Sequence, residues 1–510
     1  MNAKVFSSRW VPVSLLLAGI VALFARFRLD SFLAFYDDDL FYYLQIARNV
    51  VYHHQSTFDG THLTNGYHPL WMLVSAALTM VASGKPFFII VQIILLASFM
   101  CIYALSQAIL SFYTEDQLAS QLAAAMVALQ SLLLIRGAME ITLTIPLALG
   151  LCWYRLHPSF RWTLSKALGY GFFASFVVLS RLDSAIFVSA LLFSECLYSW
   201  PLRLRDLLLR VGTLIFFAGP IGLYLIFNRF VFHTWMPVSG QAKQLRTNHS
   251  LSVAPFYSWF LYLPGTLRLL IIYPAVATLL TASLVLILRG RQRLHRDHLP
   301  VVVSLLLFPL LHLLALSILS DWPLWSWYLY PLVLAMEGSL LVFFSREPSG
   351  ELLSDGRLRR SLPVAAALVI FAFAIVEARR TQVTNRCYTY GKAVAGFAQT
   401  HNGVFAMGDA SGTAAYLINR PLIQLEGLVM DQAYLENIRR KRNLNEVLMD
   451  YGVRYYVSPN PIFTDGCYRT VEPAQAGRDA PHMRGTFCMK PIAVFQNGHD
   501  SLDIFDLQPQ

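Results

Sequence analysis

Residues 10–54 read WVPVSLLLAGIVALFARFRLDSFLAFYDDDLFYYLQIARNVVYHH. Residues 10–24 are almost entirely apolar, as expected of a helix in the hydrocarbon core of a membrane. Two arginines follow this run without the small residues of a cleavage site, so we expect it to remain as a spanning helix. Three aspartates come next, Asp37, Asp38 and Asp39. From Asp39 onward apolar residues recur at helical spacing, which predicts an amphipathic helix along the membrane surface.

The composition of the whole chain is that of a membrane protein. Of its 510 residues, 56% are hydrophobic and 14% are charged, whereas soluble domains carry about 25% charged residues. This balance excludes a soluble globule, and it excludes a disordered chain because so much apolar surface must be buried. Further apolar runs follow the first one, at 86–112, 118–135, 137–152, 167–197, 207–227, 266–288, 301–318, 324–344 and 362–376, with a shorter run at 69–82.

We therefore expect a polytopic α-helical membrane protein, with about 11–13 membrane helices in residues 1–378. Lysines and arginines cluster at alternate ends of the runs, which places those ends in the cytoplasm. The same rule explains the net charge of +10, so no nucleic-acid partner is needed to account for it. Between residues 68 and 136 the alternation does not close, and one segment there is expected to be half-length.

The tail, residues 379–510, differs in kind from the rest of the chain. It is polar and rich in turns, and alternating stretches such as 453–457 predict strands. A separate α/β domain on the extracytoplasmic face is the economical interpretation. Cys467 and Cys488 would form a disulfide there if that compartment is oxidising.

The three aspartates are the most unusual polar residues of the chain. Adjacent carboxylates near lipid repel one another and lose hydration. One of them can serve as the N-cap of the following helix, but a cap does not explain three. We interpret them as a site that binds a ligand, accepts a proton, or both. A metal site is the alternative, although the nearby histidines match no ligand motif. These are His53, His54, His62 and His68.

Three further ionisable residues, Glu140, Arg181 and Asp183, lie in or near apolar runs. Arg181 and Asp183 could simply neutralise each other, but charged groups at such depth are costly enough to suggest function. If the long run 167–197 is a helical hairpin with both ends in the cytoplasm, these two residues lie at its outer tip, facing the aspartates.

A predicted outer loop carries Lys243 and Arg246 just after a Ser-Gly pair. Two cations beside a glycine turn can neutralise a phosphate headgroup at the bilayer surface. The alternative is an interfacial turn with long side chains that reach back to water. Residues 320–331, SDWPLWSWYLYP, form an aromatic belt at the same boundary, and such rings also stack on sugars.

The order of these segments resembles the GT-C superfamily, the multi-spanning glycosyltransferases that use polyprenyl-phosphate sugars. It is similar above all to bacterial protein O-mannosyltransferases and aminoarabinose transferases. The resemblance begins with an Asp followed by Tyr at +4 and then Ile-Ala-Arg, here Asp39, Tyr43 and residues 46–48. It continues through TNGYHPLW, GAMEITL, SRLDSAI and PVSGQAK, which contain His68, Glu140, Arg181, Asp183 and Lys243.

The resemblance implies a GT-C-like bundle in a bacterial inner membrane. It also implies an inverting transfer of a hexosyl or pentosyl group from a polyprenyl-phosphate donor to an envelope lipid, glycan or protein. By register Asp39 matches the catalytic aspartate of the family. Asp38 is the runner-up, because Leu40 stands where the family commonly has Glu.

The expected chemistry needs one base and a cluster of cations. Asp39 would take the proton of the acceptor hydroxyl, while Lys243, Arg246 or Arg181 would stabilise the departing phosphate. The supporting residues would be Asp37, Glu140, Asp183, His68 and Tyr43. No cofactor is required, but a divalent cation could assist, and Asp37 and Asp38 would then be the ligands to suspect.

Two other classes of function remain open at this point. A transporter or flippase for a lipid-linked or small polar solute would show inverted repeats and polar sites near the bilayer midplane, and neither is clear in the sequence. A noncatalytic envelope assembly protein would work through its tail and would not need the three aspartates.

Overall fold

The computed structural model describes residues 3–24, 29–200, 203–247, 251–259, 268–289, 295–345, 368–369, 372, 385–498 and 500–508. Of the predicted spanning run 362–376 only residues 368, 369 and 372 are described, and they are helical. The predicted boundary between residues 378 and 379 lies outside the described residues. The remaining chain forms a helical bundle followed by an α/β domain.

Fifteen helices in the described residues precede that domain. They are α1 Ala3–Phe24, α2 Leu29–Leu33, α3 Asp38–His53, α4 Pro69–Val81, α5 Gly84–Leu110, α6 Gln117–Ile135, α7 Ile141–Leu156, α8 Leu164–Ser180, α9 Ala185–Tyr198, α10 Leu204–Val231, α11 Val238–Gln244, α12 Ala254–Tyr257, α13 Tyr273–Arg289, α14 Leu299–Leu319 and α15 Tyr330–Phe344. Short 3-10 turns at Leu182–Ser184, Arg296–His298 and Ser326–Leu329 and a π turn at Arg268–Ile272 connect some of them.

Several of these helices are suited to a membrane. Within the described residues, five segments are long and apolar enough to cross it, in α5, α6, α10, α14 with its preceding turn, and α15 with its preceding turn. Shorter apolar helices include α1, α4, α7, α8 and α13. The chain is thus a multi-pass membrane protein, while the predicted total of about 11–13 membrane helices extends into residues that are not described.

Helix α4 lies between residues 68 and 136, where the predicted alternation of cytoplasmic and outer helix ends does not close. Its 13 residues span about 20 Å, too short for a hydrocarbon core of about 30 Å. Its first end adjoins the α8–α9 turn, where the Leu182 amide donates to His68 Nδ1 at 3.1 Å. Just past its second end, Phe88 stacks near Tyr36, which precedes α3. Helix α4 is therefore shorter than a full span, and its role as the half-length membrane segment stays a prediction.

The run 167–197 is a hairpin, as predicted. Helix α8 ends at Ser180, a 3-10 turn covers Leu182–Ser184, and α9 begins at Ala185. Arg181 has extended backbone at the break. The helix stops where two charged residues interrupt the apolar run, and the tip presents both of them.

The C-terminal part has the predicted α/β character. Its strands are β1 Val404–Met407, β2 Leu422–Gln424, β3 Val453–Pro459, β4 Ile462–Thr464, β5 Cys467–Glu472, β6 Met483–Phe487, β7 Ala493–Asn497 and β8 Asp500–Asp506. Its helices are α16 Arg386–Ala398, α17 Ser411–Ile418, α18 Gln432–Arg439 and α19 Leu444–Asp450.

Two sheets organise this domain. A five-stranded sheet has the order β2-β1-β3-β8-β7, parallel among the first three strands and antiparallel beyond them, and a smaller sheet has the order β4-β5-β6. Alternation of apolar and polar residues in β6 gives one buried and one exposed face. Cys467 and Cys488 are joined by a disulfide, which agrees with the sequence prediction.

The domain packs against helix α3, most of whose residues are buried. Phe41 of α3 meets the ring of Tyr416 of α17, and the Arg48 guanidinium lies 4.3 Å from the centre of the same ring. The bundle and the domain thus share a continuous buried core at this end of the molecule.

Candidate active site

Asp39 lines a cavity where the bundle meets the C-terminal domain. The cavity has a volume of about 60 Å³ and opens to solvent, and its wall includes Asp39, Glu140, Arg181 and Lys243 from four different segments. Leu428 and its neighbour Val429 close it from the domain side. Residues predicted independently from separate apolar runs are therefore brought to one place.

The position of Asp39 gives it the electrostatics of a base. Helix α3 begins at Asp38, so Asp39 lies in its first turn. Burial raises the pKa of Asp39 to about 7, Lys243 opposes this rise, and the carboxylates of Asp38, Glu140 and Asp37 add to it. A carboxylate with a pKa near neutrality is ionised often enough to act and is basic enough to accept a proton.

The other two aspartates are held away from this cavity. The Asp38 carboxylate accepts hydrogen bonds from the backbone amides of Gly412 and Thr413 and from the Thr413 hydroxyl. Asp37 occupies the N-cap position of α3, but its side chain makes no capping hydrogen bond. It packs instead against Gly137, where an added Cβ would lie 2.2 Å from Asp37 Oδ2.

Arg181 is fixed by two carboxylates. Its Nη1 donates to Glu140 Oε1, and its Nε and Nη2 donate to the two oxygens of Asp183 at 2.8 and 3.0 Å. Asp183 also accepts from Tyr330 at 3.0 Å and lies 3.0 Å from His312 Nε2. The Arg181 side chain is buried, so this network rigidly positions a cation at the cavity wall.

Glu140 links this network to α3. The Tyr43 hydroxyl donates to Glu140 Oε2 at 3.2 Å, and the His68 amide donates to Tyr43 Oη at 3.2 Å. His68 Nε2 is 3.7 Å from Glu140 Oε1. The predicted supporting residues Tyr43, His68, Glu140 and Asp183 therefore form one connected cluster around Arg181.

Lys243 lines the same cavity as Asp39 and is the cation that lowers the pKa of Asp39. Its Nζ donates to the Tyr328 hydroxyl at 3.1 Å. Burial alone would lower the pKa of Lys243, but the hydroxyl of Tyr328 and the carboxylate of Asp39 hold it above the ordinary value. The ammonium is therefore charged at neutral pH. Helix α11, which carries it, is anchored at its start because the Val238 amide donates to Asn65 Oδ1 at 3.0 Å.

A second cavity of about 310 Å³ adjoins the first one and is lined mainly by apolar groups. Its wall includes Leu316 and Leu319 of α14 and Ile186 of α9. Arg181 and Lys243 belong to the walls of both cavities. An apolar chamber and a polar one thus meet at two cations.

Arg246 does not accompany Lys243. Its guanidinium donates to the backbone carbonyls of Ser317 and Ile318, and it is not part of either cavity wall. Helix α11 ends at Gln244, and Leu245 has extended backbone. The chain direction changes between the two cations and carries Arg246 away.

The side chains that could ligate a metal ion lie apart from one another in the described ranges of the chain. Among the residues that the structure describes, no group of three or more His, Cys, Asp and Glu side chains could hold one. His62 pairs with Asp59, and both oxygens of Asp38 are engaged by α17. The suspected ligand pair, Asp37 and Asp38, is therefore not arranged around a common point.

Sequence reasoning missed the groups that complete the site. His312 is the one His inside the apolar run 301–318. An ionisable residue inside such a run indicates a functional or paired group, so His312 could have been predicted. Tyr328 and Tyr330 stood only as members of the aromatic belt. Leu428 and Val429 gave no signal, because their place depends on how the domain docks.

Comparisons with known proteins agree with this architecture. No protein-family model matches the chain, and no curated protein matches it. The crystal structure of ArnT from Cupriavidus metallidurans bound to undecaprenyl phosphate superposes with a TM-score of 0.53 and 15% sequence identity, over 91% of this chain and 97% of that one. The apo state of the same protein gives a TM-score of 0.53 and 16% identity, over 90% and 93% of the two chains.

An oligosaccharyltransferase from Archaeoglobus fulgidus, in complex with Zn and sulfate, superposes less well, with a TM-score of 0.47 and 12% identity over 87% of this chain and 67% of that one. At such identities the likeness to ArnT establishes the fold alone. The predicted fold, a helical membrane bundle with a C-terminal α/β domain, is thereby confirmed, and it is the fold of ArnT.

Proposed function

We propose that this protein is an inverting glycosyltransferase. It moves a sugar from a polyprenyl-phosphate donor to a lipid, glycan or protein acceptor of the cell envelope. The observation that carries the proposal is that Asp39, Lys243 and Arg181 line one cavity, while the two cations also line an adjoining apolar one. A polyprenyl-phosphate sugar matches this order, because its sugar suits the cavity beside Asp39, its phosphate suits the two cations and its isoprenoid tail suits the apolar cavity.

The donor would lie across both cavities. The tail occupies the apolar cavity between α9 and α14, the phosphate lies at Lys243 and Arg181, and the sugar enters the smaller cavity beside Asp39. The ArnT structure that shares this fold is bound to undecaprenyl phosphate, which supports a lipid of this class.

The reaction would be a single displacement at the anomeric carbon. Asp39 accepts the proton of the acceptor hydroxyl as its oxygen forms the new glycosidic bond. The bond to the phosphate oxygen breaks on the opposite face, which inverts the configuration. The released polyprenyl phosphate needs no protonation, because Lys243 and Arg181 stabilise its charge.

We further propose that this chemistry takes place outside the cytoplasm of a bacterium. Basic residues cluster at the opposite end of the bundle, where Arg155 and Arg210 both pair with Glu195 and where the positive-inside rule locates the cytoplasm. The Asp39 end and the domain docked on it would then lie on the outer face of the inner membrane. Residues 1–378 would form the transferase module and 379–510 the external domain.

The test is release of polyprenyl phosphate in proteoliposomes. Purified protein is given undecaprenyl-phosphate sugars, one hexose or pentose at a time, with envelope extract as acceptor. We expect turnover with one of them and loss of at least about 100-fold in Asp39→Asn, because general-base catalysis contributes about 10² to 10⁴.

Asp30→Asn is the matched control, since Asp30 lies nearby in α2 with a side chain that is 70% exposed. It should retain wild-type turnover. Transfer that survives in Asp39→Asn would refute Asp39 as the base. Movement of lipid-linked sugar across the bilayer without cleavage would favour a flippase instead.

A further inference from the structure

We propose that Asp38 is a positioning residue, which docks the C-terminal domain onto α3 and thereby aims Asp39 into the cavity. This inference rests on the proposed function for the role of Asp39. It gives the two adjacent aspartates different tasks, and it makes the C-terminal domain a part of the active site.

The carboxylate of Asp38 accepts three hydrogen bonds from the domain. Oδ2 accepts from the Gly412 amide at 2.9 Å, and Oδ1 accepts from the Thr413 amide and the Thr413 hydroxyl, each at 2.7 Å. These amides belong to the first turn of α17, which begins at Ser411. Amides there lack partners within their own helix, and the helix dipole favours a negative charge. Asp38 therefore supplies what the start of α17 lacks.

The fit around this contact leaves no room for a substitute. A Cβ on Gly412 would lie 2.5 Å from the Asp38 backbone oxygen, so only glycine allows the two chains to approach so closely. One turn further along α3, the Tyr42 hydroxyl and Ser411 Oγ are 3.0 Å apart. Arg48 then donates to Asn419 Oδ1 at 2.9 Å. The contact with the domain thus runs along α3 from its first residue.

Helix geometry converts this docking into an orientation for Asp39. Successive side chains on an α-helix point about 100° apart. Fixing Asp38 towards α17 therefore fixes the direction of Asp39, which lines the cavity. The domain also closes that cavity through Leu428, whose carbonyl oxygen would lie 1.9 Å from a Cβ on Gly66. Loss of docking would both rotate the base and open the wall.

Asp38 is poorly placed to be a base itself. Both of its oxygens already accept hydrogen bonds from donors that cannot be removed, and it is not part of the cavity wall. A proton acceptor must reach the hydroxyl that it deprotonates. The order of roles suggested by the register of the motif, with Asp39 before Asp38, then follows from geometry.

The experiment compares Asp38→Asn, Thr413→Val and Asp39→Asn in the full-length protein in proteoliposomes. Thr413→Val is the milder change, because it removes only the hydroxyl donor at 2.7 Å. Turnover is measured against donor concentration and pH, and hydrogen exchange by mass spectrometry reports on residues 408–419. Lys392→Gln is the control, since it removes a solvent-exposed ion pair between the domain and Asp30. It should match wild type in both measurements.

We expect Asp38→Asn to lower kcat by about 10- to 100-fold, the range expected when a reacting group is misplaced by about 1 Å. KM for the donor should change little, because Lys243 and Arg181 lie on other elements. The pH at which activity falls should also stay in place. Exchange in residues 408–419 should rise in Asp38→Asn and, more weakly, in Thr413→Val. Asp39→Asn should abolish transfer and leave exchange as in wild type.

Two results would overturn the inference. One is a loss of activity in Asp38→Asn with unchanged exchange in residues 408–419. The other is a pH profile of Asp38→Asn in which transfer activity no longer falls as the pH drops through about 7. That result would make Asp38 the base. If the wild-type protein transfers no sugar, the proposed function fails, and the exchange data on Asp38→Asn and Thr413→Val still decide the docking contact.

Discussion

The pKa of Asp39 predicts a specific pH dependence of transfer. Burial and three neighbouring carboxylates place this pKa at about 7, and the base must be ionised to accept a proton. About nine tenths of the enzyme is then active at pH 8, half at pH 7 and about one tenth at pH 6. We expect kcat/KM to fall by about tenfold from pH 8 to pH 6 and by a further tenfold per unit below that.

The assay is initial-rate release of polyprenyl phosphate between pH 5 and pH 9 at donor concentrations well below KM. The donor phosphodiester is ionised over this whole range, so the fall in kcat/KM at low pH (the acid limb of the profile) reports the titration of a group of the enzyme. Donor binding, measured separately at each pH, controls for loss of the Lys243 contact. Lys243 should stay charged throughout, since its pKa is held above its ordinary value.

A second variant tests the physical cause of the shift. Lys243 is the neighbour that lowers the pKa of Asp39, so Lys243→Met should move the limb to higher pH as well as weaken donor binding. A flat profile from pH 5 to pH 9 would refute the assignment of Asp39 as a base with a pKa near 7. A limb that moves to lower pH in Lys243→Met would refute the electrostatic account.

Lys243→Met has a second expected outcome, and two further changes have outcomes that follow from the contacts. Lys243→Met should raise KM for the donor by about 10-fold or more, because a charge-assisted hydrogen bond to phosphate contributes about 1.5–3 kcal/mol, and saturation kinetics measure it. Asp183→Asn should lower the free energy of unfolding by about 1–3 kcal/mol, because it weakens the hydrogen bonds to buried Arg181 while Glu140 still pairs with it, and thermal unfolding in detergent would show this. Gly66→Ala should impair transfer and increase proteolytic access to the domain, since the new Cβ would lie 1.9 Å from the Leu428 carbonyl oxygen; unchanged proteolysis would contradict the close approach.

Much of the helical architecture could be predicted because apolar runs record it directly. The hairpin around Arg181 and the short α4 followed from run length and the position of charges. The grouping of Arg181 and Asp183 with Asp39 followed from placing the tip of the hairpin on the outer side, whereas Glu140 was connected to Asp39 only through the family resemblance. Local rules therefore sufficed wherever the membrane constrained the chain.

The failures come from contacts that are distant in sequence. Nothing near the three aspartates shows that Asp38 has its partners about 375 residues away, so the sequence left both Asp38 and Asp39 open as the base. Arg246 was grouped with Lys243 because the two are close in the chain, but α11 ends between them. Neither the docking of a domain nor the exact end of a short helix is encoded in a local pattern.

The segment TNGYHP, residues 64–69, ties the proposed base to the proposed phosphate site. Asn65 anchors the start of the helix that carries Lys243, and Gly66 lies against the domain that orients α3. His68 holds the α8–α9 turn through the Leu182 amide. Three neighbouring residues thus fix the relative positions of the proposed base, Lys243 and Arg181. In the proposed single displacement the attacking and leaving groups lie on opposite sides of one carbon, so we expect the rate to depend on the distance between Asp39 and the two cations.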